Sequence, residues 1–254
     1  MNVPEVAARI DSELRALGSP TRAEHEKRYL KSELEHYGAS VPEIRAVAKS
    51  AYADLSTVTH DELLALVESL WSQPVHERRM ASVEILGFGS ASLQPTDAAL
   101  LELLIREAKT WALVDGLAAS VVGPLVERFP ELRTTLDRWA SDSDFWVRRS
   151  ALLALLPSLR RGAGDFERFA RYADAMLEER EFFIRKAIGW VLRETGKKRP
   201  ELVFAWLLPR AQRASGITVR EAVKYLSDKQ RAEILAAAGS TKMRKTHTRE
   251  QGTP

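Results

Sequence analysis

The residues in this chain best suited to chemistry are one aspartate and two tryptophans. Trp111 and Asp115 stand four apart, so on a helix they share one face, a turn from each other. Between Trp111 and Val122 there is no other charge. A carboxylate in so apolar a stretch costs free energy unless a partner or a function retains it. Two readings fit: Asp115 reaches the solvent edge or pairs with an arginine of a neighbouring element, or a function retains it. Trp190 follows Gly189, a residue that permits close backbone approach. Its indole either packs in a core or offers a face to a cation. Arg148 and Arg149 follow Phe145-Trp146 near the start of an expected helix, where guanidinium forks suit phosphate groups. They also suit ion-pair ladders between helical repeats, and we assign Arg149 to function and Arg148 to the ladder.

Other chemistries find no support. GxGxxG, P-loop, GxSxG and HExxH signatures are absent. With no cysteine, disulfides, thiolate metal sites and cysteine nucleophiles are excluded. The five histidines, His25, His36, His60, His76 and His247, are scattered on polar stretches without metal spacing and read as surface residues. No metal and no cofactor are implied.

The elements that must position these residues read as helices throughout. Val6, Ile10, Leu14 and Leu17 recur at helical spacing. Ser40 to Glu43, Thr59 to Glu62 and Ser227 to Gln230 have the spacing of capping boxes, each before an apolar stripe. About a dozen helices joined by short loops are expected, with no strand. They also repeat: Val147-Arg148, Ile184-Arg185 and Val219-Arg220 follow at intervals of 37 and 35 residues. Arg78-Arg79 precedes Arg148-Arg149 by 70. Such a period predicts an all-α fold, an α-solenoid of HEAT-like repeats with a concave face suited to a long partner. Residues 1–238 are expected to form one repeat domain and 239–254 a basic, disordered tail.

Charge is segregated along the chain. Residues 185–254 hold 16 basic and 6 acidic side chains, against 22 and 29 in the preceding 184. The positive third, with Arg185, Lys186, Arg193, Lys197 and Lys198, is suited to a polyanion. No run is long and apolar enough for a membrane span, and no signal peptide is evident, so a soluble cytoplasmic protein is expected, nucleoid-associated when bound to DNA.

The segment Glu181-Phe182-Phe183-Ile184-Arg185-Lys186-Ala187-Ile188-Gly189-Trp190 resembles the most distinctive motif of the bacterial DNA alkylation repair (AlkD-type) glycosylases. Trp111-x-x-x-Asp115, Phe145 to Arg149, Arg28 to Lys31, and Gly38 with Pro42-x-x-Arg45 are similar to further segments of that family, in order from about residue 22 to 225. The resemblance implies HEAT-like repeats around duplex DNA and a hydrolase that removes positively charged N3- and N7-alkylpurines without a flipped-base pocket. It implies Asp115 as the catalytic carboxylate, Trp111 and Trp190 beside the lesion's deoxyribose, and Arg149 on the adjoining backbone. Tyr29, Arg45 and Arg148 would join the basic third in binding DNA. A monomer acting on double-stranded DNA with alkylated purines is implied. The chain departs from the family at Ala112, where an acidic residue commonly follows the tryptophan, which bears on local hydrogen bonding and rate. Two other readings stay open: a non-catalytic relative that binds DNA, and a scaffold for a protein partner, which would lack the steep salt dependence of DNA binding.

Overall fold

At Ser40, Thr59 and Ser227, each three residues before Glu or Gln, a helix begins. In a computed structural model, which describes residues 2–54 and 58–250, with side chains as far as 239, Thr59 and Glu62 form a reciprocal capping box. Ser40 N–H and its hydroxyl both donate to Glu43, at 2.7 and 2.6 Å. Ser227 and Gln230 exchange backbone and side-chain hydrogen bonds at 3.1 and 3.3 Å. Each box satisfies amides that the first helical turn leaves without partners.

The chain divides into two compact units, Met1–Arg133 and Thr134–Pro254. The N-terminal unit contains α1 (Val3–Ala16), α2 (Pro20–Leu30), α3 (Val41–Asp54), α4 (His60–Trp71), α5 (His76–Phe88), α6 (Ala98–Ala108), α7 (Trp111–Gly116) and α8 (Gly123–Arg128). Helices α1, α3, α4 and α5 pack against one another, and α7 packs on α5 and α6. Leu63, Leu66, Leu70, Ile85 and Leu86 are wholly buried between them. These leucines and isoleucines fall at helical spacing on α4 and α5, so each helix buries one stripe. Between α7 and α8 the backbone widens into a π-helix, Leu117–Val122. Pro124 explains the change of pitch, because it has no N–H to give to Ser120 and its ring would crowd that carbonyl.

The C-terminal unit contains α9 (Arg133–Trp139), whose first residue closes the other unit, then α10 (Phe145–Leu153), α11 (Leu156–Arg160), α12 (Phe166–Met176), α13 (Phe182–Gly196), α14 (Pro200–Leu207), α15 (Gly216–Ala222) and α16 (Asp228–Glu250). Val147, Ile184 and Val219, the recurring apolar positions, are buried near the starts of α10, α13 and α15. Those three helices stack in that order, α13 lying against both of the others. The repeat legible in the sequence is therefore a repeat of inner helices, and the fold is an all-α helical repeat. Among the described residues there is no strand, only an isolated bridge between Glu35 and Val75. No helix among them is long and apolar enough to cross a membrane. Of the expected tail, 239–254, the backbone to Glu250 continues α16, and residues 251–254 lie outside the described residues.

Gly189 shows how closely α13 and α15 approach. A Cβ there would lie 2.8 Å from Glu221 Cβ and 3.1 Å from both the Thr218 Cα and its carbonyl oxygen. Since two of those atoms are backbone, a methyl group would push the helices apart. Gly189→Ala should cost about 1–3 kcal/mol and lower the Tm by roughly 2–10 °C, read by thermal unfolding; an unchanged Tm would refute this account of the contact.

The histidines depart from expectation. Among the described side chains only His25 is exposed; His60 is half-buried and bonded to Asp97 at 2.9 Å, His36 is half-buried, and His76 is buried. The side chain of His247 lies outside the described residues. For His36 and His76 the cause is a backbone stitch that sequence spacing does not reveal: Glu35 N–H donates to Pro74 O, and His76 N–H to Glu35 O, both at 2.9 Å.

Candidate active site

Trp111 and Asp115 are placed by the short helix α7. Lys109, in the left-handed region at φ 52°, ends α6, and the Thr110 side chain accepts from Ala112 N–H at 3.1 Å to start α7. Trp111 is thus the first residue of its helix, and Asp115 lies one turn on, just before the π-helical stretch. A widened turn of this kind is frequent at functional sites. Both side chains are half-buried. Tyr29, 67% exposed at the end of α2, sets its ring edge-on to Trp111 with centroids 5.9 Å apart. Arg45 lies over the Phe88 ring at 5.8 Å and lines a cavity of about 170 Å³ with Phe88, Gly116 and Ser120. The N-terminal unit therefore brings together Tyr29, Trp111 and Asp115, with Arg45 and the α7 residue Gly116 on one cavity. Arg45 also faces Glu84 at 3.5 Å.

Trp190 and Arg149 belong to the C-terminal unit. On α13, Phe183, Lys186, Trp190 and Arg193 follow at intervals of three and four and are all half-buried, while Ile184, Ala187, Ile188, Val191 and Leu192 are buried. The helix thus presents one aromatic and basic stripe and sinks the opposite face. Glu181 caps its start by accepting from Phe183 N–H at 3.2 Å.

The basic stripe is held by two carboxylates. Glu221 accepts from Lys186 at 2.8 Å, from Lys224 at 3.0 Å and from Arg193. Glu194 faces Arg160 at 3.1 Å, Arg193 at 3.3 Å and Lys197 at 2.8 Å. Burial alone would raise the Glu221 carboxyl; hydrogen bonds from Lys186 and Lys224 and the charge of Arg193 outweigh it and hold it at about 2. Five cations on two carboxylates leave a net positive lattice whose side chains are already ordered. Lys198 is exposed beyond it, and Lys197 lies 5.0 Å from the Tyr225 ring centre.

The two arginines of α10 are not displayed as an open phosphate fork. Arg148 grips Glu179 with two hydrogen bonds, 3.0 and 2.7 Å, and donates to the carbonyls of Asp142 and Ser143. Arg185 donates to Glu179 O at 2.7 Å, so Arg148 and Arg185 are rungs of the ladder that joins α10 to α13. Arg149 is 3% exposed; it donates to Phe183 O and lies against that ring, 5.9 Å from its centre. Its position in the first turns of an inner helix aims it at the next repeat, where it braces the start of α13. Sequence reasoning missed Glu194, Glu221, Arg160 and Lys224; the 35-residue interval from Lys186 to Glu221, equal to a repeat, was the available signal.

The family model for the DNA alkylation repair enzyme matches residues 10–226. No curated protein matches the sequence. Among solved structures, one described as a predicted DNA alkylation repair enzyme from Enterococcus faecalis superposes with a TM-score of 0.74 at 22% identity, over 83% of this chain and 97% of that one. AlkD2 from Streptococcus mutans superposes with a TM-score of 0.63 at 18% identity, over 89% of this chain and 100% of that one. At such identities these likenesses establish the helical repeat fold; with the family match across most of its length, the chain belongs to the DNA alkylation repair enzyme family.

Proposed function

We propose that this protein is a DNA glycosylase that hydrolyses the N-glycosidic bond of N3- and N7-alkylated purines in duplex DNA. The observation that carries the reading is α7: a carboxylate and an indole one turn apart, half-buried, with an exposed tyrosine set against the indole. An alkylated purine already bears the positive charge that an acid would otherwise have to supply. When the bond from C1′ to N9 breaks, its electron pair neutralises the departing base and leaves an oxocarbenium ion at C1′. The Asp115 carboxylate stabilises that cation, and the indole face of Trp111 adds to the stabilisation. Water, oriented by Asp115, then bonds to C1′ and loses its proton to bulk solvent. Trp190 is assigned to the same deoxyribose. Arg149 acts by bracing the start of α13, which carries Trp190, and Lys186, Arg193, Lys197 and Lys198 take the phosphates with Tyr29 and Arg45. Catalysis in this reading requires contact only with the sugar and backbone, so the lesion need not leave the stack. The protein acts as a cytoplasmic monomer that feeds abasic sites to base excision repair.

The charge of the leaving base is the point to test. Duplexes carrying N7-methylguanine or the neutral lesion O6-methylguanine should part company: free base and an abasic site from the first, no release from the second. Equal release from both would overturn a mechanism driven by the cationic lesion.

A further inference from the structure

The N-terminal unit holds a second cluster of chemistry-bearing groups, apart from α7. Glu26 on α2, His36 in the loop before α3 and Glu77 in the first turn of α5 each place a ligand atom within 4.8 Å of the other two. The cluster is built by backbone contacts. Residues 35 and 76 are stitched together by the isolated bridge, and Glu77 accepts from Tyr37 N–H at 3.0 Å and Gly38 N–H at 2.6 Å. Gly38 has φ +85°, and a Cβ there would meet Ser19 O at 2.1 Å, so the turn that delivers His36 requires glycine. The ring of His36 lies flat on that of His76, 4.5 Å away at 7°.

The histidine rings at this cluster lack hydrogen-bond partners. Both ring nitrogens of His36 and Nδ1 of His76 are buried without a hydrogen-bond partner in the protein, and His76 is 4% exposed. An imidazole lone pair buried without a partner is costly. Burial, reinforced by the charge of Glu77, pushes the Glu26 carboxyl up. Arg22, whose charge Glu26 also feels, is spent on Gly38 O and Glu43 at 3.0 and 3.1 Å.

We propose that Glu26, His36 and Glu77 bind a divalent transition-metal ion of the Zn²⁺ class, which clasps α2, the loop after it and α5 together. Three atoms no more than 4.8 Å apart leave a point within about 2.8 Å of each; zinc bonds of roughly 2.0–2.2 Å need each ligand to close by no more than about 0.8 Å, a side-chain adjustment. The mixed imidazole and carboxylate set suits zinc over calcium or magnesium. The two amides that hold Glu77 are the outer support that a ligating carboxylate uses. The role is structural: Glu26 sits three residues before Tyr29 on α2, so the ion steadies the helix that carries Tyr29 to Trp111, and no step at the glycosidic bond involves it.

The test uses the full-length protein, stripped with EDTA, exchanged into metal-free buffer and titrated with ZnCl₂ by calorimetry and thermal unfolding. Wild type should take up one equivalent and gain Tm, as any ligand of the folded state requires. His36→Ala and Glu26→Gln should each weaken uptake at least about tenfold, while His247→Ala leaves it intact. Should His36→Ala fail to fold, Glu26→Gln, on the half-exposed side of α2, decides alone. No zinc uptake by wild type, or uptake that survives the Glu26 and His36 substitutions, would overturn the proposal.

Discussion

Asp115→Asn should slow release of a cationic alkylpurine by on the order of 10²–10³ while leaving duplex affinity within a few-fold. Asparagine keeps the volume and shape of the side chain and removes only its charge. That charge matters in the transition state, where C1′ becomes cationic, and much less in the ground state, where the charge sits on the base. A loss of this size corresponds to roughly 3–4 kcal/mol of transition-state stabilisation, the scale of one preorganised electrostatic contact. Single-turnover rates under saturating enzyme, alongside equilibrium binding to the same duplex, separate the two effects. A variant with wild-type rate would remove Asp115 from the chemistry and return it to the structural reading, a carboxylate paired with an arginine of a neighbouring element.

Binding to duplex DNA should weaken by about 10³ between 50 and 200 mM salt, as contact with roughly six phosphates requires through counterion release. The C-terminal unit supplies the cations. Lys197 and Lys198 are its exposed representatives on the turn after α13, and replacing both with Gln should reduce the slope of log K against log salt by about 2. Folding should tolerate the change, because Glu194 retains Arg160 and Arg193 as partners. Affinity that barely responds to salt would favour a protein partner over a nucleic acid.

What the sequence made legible follows from how local each feature is. The Ser40, Thr59 and Ser227 boxes are formed by residues three apart, so propensity and spacing suffice to find them. The repeat showed through Val147, Ile184 and Val219 because inner helices must bury the same position each time. Trp111 and Asp115 were legible as a pair for the same local reason. Arg149 was not: nothing near it in the sequence indicates that its guanidinium turns inward to Phe183 O, 34 residues on. The pairing of Lys186 and Arg193 with Glu221 is likewise a contact between repeats. His36 and His76 are 40 residues apart and meet only because Glu35 bonds across to 74–76. The π-helical widening at 117–122 depends on how the chain accommodates Pro124 within a packed helix, which helical periodicity alone does not encode.

The most direct test of the central claim is to incubate wild type and Asp115→Asn with duplex DNA containing N7-methylguanine and to measure free base by chromatography. The account predicts free N7-methylguanine and one abasic site per base released by wild type, and near-loss of both in the variant. No release by wild type, at enzyme concentrations where salt-sensitive duplex binding is complete, would contradict glycosylase action on this lesion.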